Sequence, residues 1–234
     1  MYIVELCFIF FLYSMDIRLK VGRTMQVVGP SGCGKTLFTV RLLRKRETLF
    51  EYPLKKIWWY YGADEGEVGE TKEEIQKLEN VEFIHGLDGD WLKRPQAHDV
   101  IVIDDLFQEA MNTSGKSNKQ QQSLTSLFTK TTRHRELFVI FLTQNLFHQG
   151  ARACNINTHY LVLFKNPRDV LSVINITRQI SNSAAVKKIF HDVTKDTPHA
   201  YLFLDFTQEC PDDLRIRSHI LTPPIMVYKP VSEN

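Results

Sequence analysis

One stretch of the sequence has the residue types and spacing of a phosphate-binding loop. It fits a glycine, four residues and then Gly-Lys-Ser/Thr, and it consists of Gly29, Pro30, Ser31, Gly32, Cys33, Gly34, Lys35 and Thr36. Glycines allow backbone conformations closed to other residues, so successive amide N–H groups can point at phosphate oxygens. The pattern predicts that Lys35 reaches the β- and γ-phosphates and that the Thr36 hydroxyl ligates Mg²⁺.

The segments on either side of this loop predict a strand and a helix. Residues 25–28 are short and mostly apolar, as in a buried strand, and residues 37–46 carry apolar side chains at helical spacing. The amino terminus of such a helix adds the positive end of its dipole to the phosphate site. This context favours a functional loop over a chance glycine-rich turn.

Two carboxylates follow a second apolar run. Residues 99–106 read DVIVIDDL, and a continuous β-branched run is typical of a buried parallel strand. We expect this strand to lie beside the one that precedes the phosphate loop. Asp104 is then the predicted Mg²⁺ ligand, directly or through water, and Asp105 the predicted base for the attacking water. The alternative is that both acids only solvate a strand end.

A third apolar run also ends in polar side chains. Residues 137–143 (LFVIFLT) predict the clearest buried strand in the chain, and Gln144 and Asn145 follow it. Open α/β sheets bind ligands at the carboxyl ends of their strands, so these groups should converge on the phosphate loop. Gln144 is predicted to hydrogen-bond the γ-phosphate or the attacking water. The alternative is an amide that caps the next turn.

Composition sets only broad limits. With 234 residues, 43% of them hydrophobic, the chain can bury one core, which favours a single α/β domain with a small appendage. A net charge of +2 neither requires nor excludes nucleic acid. The four cysteines lie far apart without metal-ligand spacing, which favours an intracellular, reducing compartment.

The remaining periodicity predicts further strands and helices around the same sheet. Strands are expected at residues 55–62, 81–85, 158–164, 199–206 and 214–220, and helices near 71–78, 123–130, 167–180 and 183–192. The last two strands should form a hairpin through the Pro-Asp-Asp turn at 211–213. The fold class is therefore α/β, with a mostly parallel central sheet flanked by helices and a C-terminal β-hairpin.

The amino-terminal residues allow three interpretations. Residues 2–13 are nearly all apolar, broken by Glu5, and are too short for a standard membrane span of about twenty residues. They could be a weak membrane or signal segment or a buried strand. They could also be residues that are included only because translation was assigned to a start codon upstream of the true one. We favour Met15 as the functional start and expect no stable membrane insertion. The predicted divisions are 1–14 as an extension, 15–220 as the ATPase domain and 221–234 as an extended tail.

Several short runs together resemble one viral family. They are TQNLF at 143–147, FKNPRD at 164–169, IDDL at 103–106 and PDDLR at 211–215, in addition to the phosphate loop. In this order they resemble the genome-packaging ATPases of the FtsK–HerA superfamily. The version carried by Polinton/Maverick elements and adintovirus-like viruses is most similar, and poxvirus packaging ATPases are more distant relatives.

This resemblance implies a RecA-like P-loop NTPase core in a homo-oligomeric ring, expected to be a hexamer. The ring would hydrolyse ATP with Mg²⁺ and translocate double-stranded DNA into a capsid, with a capsid or portal component as a partner. The expected location of such a ring is the host nucleus or cytoplasm, or the virion. Lys35 and Thr36 take the Walker A roles, Asp104 the Mg²⁺ role and Gln144 the polar sensor position. Many superfamily members have Glu at the position of Asp105, which leaves Glu109 as a second candidate for the water-activating carboxylate.

Ring ATPases of this type place an arginine of one subunit at the γ-phosphate of its neighbour. The candidates are Arg133, Arg135, Arg168 and Arg178, and Arg135 is the first choice because it just precedes the strand that ends at Gln144. For each of them the alternative is a surface arginine that is solvated or contacts phosphate. Backbone phosphates of DNA could be met by Lys116, Lys119, Lys130, Arg133 and Arg135.

Two other functions use the same phosphate loop. A nucleotide or small-molecule kinase is one alternative, although nothing after Thr36 has the pattern of an arginine-rich lid. A nucleotide-binding adaptor module that does not hydrolyse ATP is the other. The intact set of Lys35, Thr36, Asp104 and Asp105 argues against an adaptor.

Overall fold

A single ten-stranded sheet organises the part of the chain that the computed structural model describes, which is residues 2–7, 17–62, 69–88, 90–106, 125–146, 152–167, 175–176 and 183–230. The strand order is β1-β10-β9-β8-β7-β2-β6-β5-β3-β4. The strands are β1 Tyr2–Cys7, β2 Arg23–Val28, β3 Ile57–Tyr61, β4 Val81–His85, β5 Val100–Asp104, β6 Phe138–Thr143, β7 Tyr160–Phe164, β8 Tyr201–Asp205, β9 Ile216–Ser218 and β10 Ile225–Pro230.

The six strands from β7 to β4 in this order are all parallel to their neighbours. Within them, β6 lies between β2 and β5: Phe138 is in register with Arg23 on one side and with Val100 on the other. The expectation that the Asp104 strand lies directly beside the phosphate-loop strand was therefore wrong. Sequence periodicity predicts which segments are strands but not which strands are neighbours. In this sheet β6 pairs with β2 on one edge and with β5 on the other.

The other four strands are antiparallel, and they extend the sheet beyond β7. The pair β8 and β9 confirms the predicted C-terminal hairpin. Residues 225–230, predicted as an extended tail, are extended as strand β10, which pairs with β9 and with β1. The backbone of Tyr2–Cys7 is thus a strand, one of the three interpretations of the amino terminus. The predicted boundaries at residues 15 and 220 and the start at Met15 stay predictions, although the sheet continues past both boundaries.

Helices cover the sheet and are α1 Lys35–Arg44, α2 Arg46–Leu49, α3 Gly69–Gln76, α4 Thr132–His134, α5 Arg152–Ile156 and α6 Ser183–Thr194. A π-helical turn, Leu127–Thr131, leads into α4, and a 3-10 turn, Asp212–Leu214, lies in the hairpin loop. The helix predicted at 183–192 is confirmed as α6. The helix predicted at 167–180 lies almost wholly outside the described residues. No helix among the described residues is long and apolar enough to cross a membrane.

Helix α1 packs on one face of the parallel strands. Phe38 and Leu42, four residues apart and so on one side of the helix, are buried against a core that includes Met25 and Ile140. Leu37, predicted as part of the apolar stripe, is instead 37% exposed because it points away from the sheet. Strand β6 is buried along its whole length, as its continuous apolar sequence predicted.

A half-buried histidine lies between the starts of β2 and β7. The Nδ1 atom of His159 accepts a hydrogen bond from the backbone N–H of Thr24 at 3.2 Å. Burial, with a smaller effect of the Arg23 charge, lowers the pKa of His159 to about 4. The ring is therefore neutral in the fold at neutral pH.

This histidine makes stability pH-dependent. The unfolded chain binds a proton at His159 below about pH 6.5 and the fold does not until about pH 4, so stability should fall as the pH drops through that window. His159→Asn keeps a hydrogen-bond acceptor but does not titrate. Thermal unfolding from pH 7.5 to 4 should show wild type losing a few degrees of Tm relative to this variant. His191→Asn, at an exposed position on α6, is the control; equal Tm profiles for wild type and His159→Asn would contradict the prediction.

Candidate active site

The phosphate loop is a tight turn between β2 and α1. The Gly29 N–H donates to the carbonyl oxygen of Thr143 at the end of β6, at 3.2 Å. The Cys33 N–H donates back to the Pro30 carbonyl at 3.3 Å. Gly34 adopts a φ of 103° immediately before α1, a conformation that side chains other than glycine rarely adopt. The loop is therefore held to β6 before the helix starts.

Gly29 is required by a close approach rather than by its backbone angles. A Cβ atom at this position would lie 2.6 Å from Cys33 Sγ and 2.7 Å from Phe164 Cβ, which is inside van der Waals contact. Phe164 is the last residue of β7, so the loop presses directly on the neighbouring strand. The glycine lets the loop lie flat over the end of the sheet.

Lys35 folds back over the loop. Its side chain is buried, and its Nζ atom donates to the carbonyl oxygens of Gly29 at 2.8 Å and Pro30 at 3.1 Å. The ammonium group thus lies across the mouth of the turn. The first turn of α1 contains no acidic residue, so nothing on the helix repels an anion there. Thr36 follows in this turn and is half-buried.

Asp104 ends β5 on the same face of the sheet as Val100 and Val102, which pack in the core beneath α1. Burial, and to a smaller extent the neighbouring charge of Asp105, raises the pKa of Asp104 to about 7, although the charge of Lys35 acts in the opposite direction. The charge of Lys35 in the phosphate loop therefore acts on the carboxyl group at this strand end. Asp105 is exposed and has a φ of 52°, which turns the chain sharply after the strand.

Gln144 directly follows β6 and is exposed. Because β6 lies between β2 and β5, Gln144 emerges between the phosphate loop and the Asp104–Asp105 pair. The Thr143 hydroxyl donates to the carbonyl oxygen of Asn145 at 2.9 Å and shapes the turn that carries the amide. Three strand ends with phosphate-binding, acidic and amide groups therefore lie side by side at one edge.

Residues 25–154 match the sequence model of the ATPase family associated with various cellular activities (AAA). The chain belongs to the AAA family of ATPases. Among solved structures, it is similar to the genome packaging NTPase B204 from Sulfolobus turreted icosahedral virus 2, determined in complex with ATP-gammaS. The identity is 14%, the TM-score 0.51, and the match covers 84% of this chain and 96% of that one, which shows a shared fold. No curated protein sequence matches the chain significantly.

The predicted arginine finger, Arg135, does not lie at the phosphate loop of its own chain. Arg135 precedes β6, so it is at the amino-terminal edge of the sheet, opposite its own phosphate loop. Its guanidinium group donates to the backbone carbonyls of Leu92 and Pro95. Lys130 and Arg133 are exposed. The other residues predicted for a finger, for DNA contact or as a second carboxylate lie outside the described residues: Glu109, Lys116, Lys119, Arg168 and Arg178.

Two residues beside the site had no signal in the sequence. His199, in the loop after α6, has its Nδ1 atom 2.8 Å from the Cys33 carbonyl oxygen and lies against Gly34. It borders a groove of about 380 Å³ next to the phosphate loop. Trp59 of β3 is wholly buried, and its indole N–H slightly lowers the pKa of Asp104. That N–H has no acceptor at normal hydrogen-bond distance among the described residues, so its effect on Asp104 is weak.

The raised pKa of Asp104 predicts a stability cost in the nucleotide-free protein. Between about pH 4 and pH 7 the fold holds a proton on Asp104 that the unfolded chain has released, so stability should fall as the pH rises through this window. Asp104→Asn removes that cost. Its Tm should exceed that of wild type by a few degrees at pH 7.5, with a smaller difference at pH 4.5.

The measurement is thermal unfolding without nucleotide or divalent cation. Asp90→Asn, an Asp-to-Asn change at an exposed position after β4, is the matched control. A Tm difference between Asp104→Asn and wild type that stays constant from pH 4.5 to 7.5 would mean that Asp104 titrates normally.

Proposed function

We propose that this AAA ATPase is a motor of the FtsK–HerA type that translocates double-stranded DNA, and that it packages a viral or virus-like genome into a capsid. The observation that carries the proposal is the order of three strand ends, β2 with Lys35, β6 with Gln144 and β5 with Asp104 and Asp105. The likeness to the packaging NTPase B204 across 84% of the chain supports the same direction. Such a motor would act in the host nucleus or cytoplasm, or within the virion.

The residues of the site fit an ATP·Mg²⁺ complex. Among the described residues, no cluster of three or more His, Cys, Asp or Glu side chains could hold a metal by itself. That suits Mg²⁺, which typically takes one or two protein oxygens and completes its shell with phosphates and water. Thr36 and Asp104 would supply those oxygens. Held by these residues, Mg²⁺ would neutralise negative charge that develops on the phosphates.

Each side chain then has one task. The ammonium group of Lys35 already lies at the loop, where it donates to the carbonyls of Gly29 and Pro30. When ATP binds, it exchanges these carbonyls for the β- and γ-phosphate oxygens. Asp105 accepts a proton from the attacking water, whose oxygen forms a bond to the γ-phosphorus as the bond to ADP breaks. Gln144 holds that water or the γ-phosphate in line. Glu109 is the second candidate for the base.

The first test is ATPase turnover with and without duplex DNA. Wild type should hydrolyse ATP faster with DNA, and Lys35→Ala should lose at least about a hundredfold in kcat because no other cation lies within the loop. Lys55→Ala, an exposed lysine just before β3 at the opposite edge of the sheet, is the matched control. Turnover in wild type that does not respond to DNA would count against a DNA motor, and phosphate transfer to a small acceptor instead of water would favour a kinase.

We further propose that the subunits form a ring, expected to be hexameric, in which Arg135 acts on the nucleotide of the neighbouring subunit. In that arrangement the edge of the sheet opposite a subunit's own phosphate loop can still face another subunit's site. To reach it, Arg135 would have to release the carbonyls of Leu92 and Pro95. A capsid or portal component would be a further partner of the ring.

A mixing experiment tests the ring and the finger together. Arg135→Ala lacks the finger but keeps the loop, and Lys35→Ala lacks the loop lysine but keeps the finger. Mixed rings should regain part of the activity that each variant alone has lost, because some sites combine an intact loop with an intact neighbour. The rate per subunit of wild type should also rise with protein concentration. No recovery on mixing would exclude Arg135 as a finger in trans.

A further inference from the structure

A chain of amide hydrogen bonds joins the strand that leads to the phosphate loop to the segment that carries Gln144. Gln26 of β2 is almost wholly buried, three residues before Gly29. Its Nε2 atom donates to Asn155 Oδ1 at 3.1 Å and to Thr158 Oγ1 at 2.7 Å. Asn155, on α5, in turn donates from Nδ2 to the carbonyl oxygen of Leu146 at 2.6 Å.

A glutamine inside the phosphate-loop strand needs an explanation. Burying an amide without partners costs about 1–3 kcal/mol, so the position would be apolar if packing were its only task. Both Gln26 hydrogen bonds run to the segment around α5, and the next one runs from Asn155 to Leu146. The two amides therefore connect two parts of the site through α5.

Leu146 is held on a second side as well. Its side chain is buried in the apolar cluster that also contains Val28, the last residue of β2. Leu146 lies two residues after Gln144, so its carbonyl and its side chain together limit how far the Gln144 turn can move relative to the loop. Of these two contacts, only the hydrogen bond from Asn155 can be removed without opening a cavity in the core.

A second asparagine on the same turn provides a contrast. Asn157 donates from Nδ2 to the backbone carbonyl of Ala153 at 2.7 Å. The backbone carbonyl of Asn157 accepts a hydrogen bond from the Thr24 hydroxyl at 2.6 Å. These contacts stabilise the end of α5 and the start of β2, at the edge of the sheet away from the nucleotide. Asn155 and Asn157 thus both donate to a backbone carbonyl, but only Asn155 bonds to the segment that carries Gln144.

We propose that Asn155 is a positioning residue for ATP hydrolysis, which sets the Gln144 turn at a fixed distance from the phosphate loop. This inference rests on the proposed function, in which Gln144 contacts the γ-phosphate or the attacking water. In-line attack depends on sub-ångström placement, and a displacement of about 1 Å can cost on the order of a hundredfold in rate. Without Asn155, the Gln144 turn keeps its apolar anchor but loses the hydrogen-bonded connection through α5 to Gln26.

A double-mutant cycle tests whether Asn155 acts through Gln144. Asn155→Ala should lower kcat about ten- to a hundredfold with little change in the KM for ATP. Gln144→Ala should cause a loss of similar size, and the double variant should be no more than about twofold slower than Gln144→Ala alone. Asn157→Ala is the matched control: it should lower Tm comparably while its kcat stays within about twofold of wild type.

Asn155→Asp separates the two hydrogen bonds and serves as well if Asn155→Ala does not fold. It keeps an acceptor for Gln26 but loses the donor to Leu146, so it should reproduce the loss of kcat. Losses that multiply in the double variant, or a kcat for Asn155→Asp equal to that of wild type, would overturn the inference. A wild-type protein that does not hydrolyse ATP would overturn the proposed function and this inference with it. An active wild type with independent losses would overturn this inference alone.

Discussion

Strand β6 hydrogen-bonds along both edges, to β2 on one side and to β5 on the other, and the arrangement of the site depends on this double pairing. The register places the end of β6 level with the end of β2, and the Gly29 N–H bonds to the Thr143 carbonyl at that point. The phosphate loop, the amide of Gln144 and the acids after β5 are thereby brought to one edge. Because the strand is buried throughout, a slip of one residue would move its apolar side chains to the wrong faces.

A buried lysine and a buried carboxyl group lie at this edge of the sheet. Lys35 is buried with its ammonium on two loop carbonyls, and it partly offsets the rise that burial and Asp105 cause in the pKa of Asp104. The site therefore contains a buried ammonium group on backbone carbonyls and a carboxyl group whose pKa is raised by burial. Under the proposed function, the phosphates of ATP and the Mg²⁺ bound with them would compensate both groups. The same features that cost stability without nucleotide prepare the site to bind it.

Much of the local structure was predictable because it depends on short-range patterns. The phosphate loop, the apolar runs that became β3, β5, β6 and β7, and the terminal hairpin all follow from spacing and turn chemistry in neighbouring residues. The prediction that needed strand order was wrong, because β6 separates β5 from β2. Leu37 was assigned to the buried face because periodicity alone does not distinguish the edge of an apolar stripe from its centre.

The sequence by itself determined the chemistry of the site: a loop that can bind phosphate, two acids after one strand and an amide after another. Only the tertiary structure decided how these groups are ordered, that Arg135 is bonded to carbonyls of its own chain, and that Gln26 and Asn155 connect the loop strand to the Gln144 turn. The physical reason is the distance along the sequence over which each kind of interaction acts. Backbone conformation and turn formation are set by adjacent residues, whereas strand pairing and buried polar contacts join residues more than a hundred positions apart, such as Gln26 and Asn155.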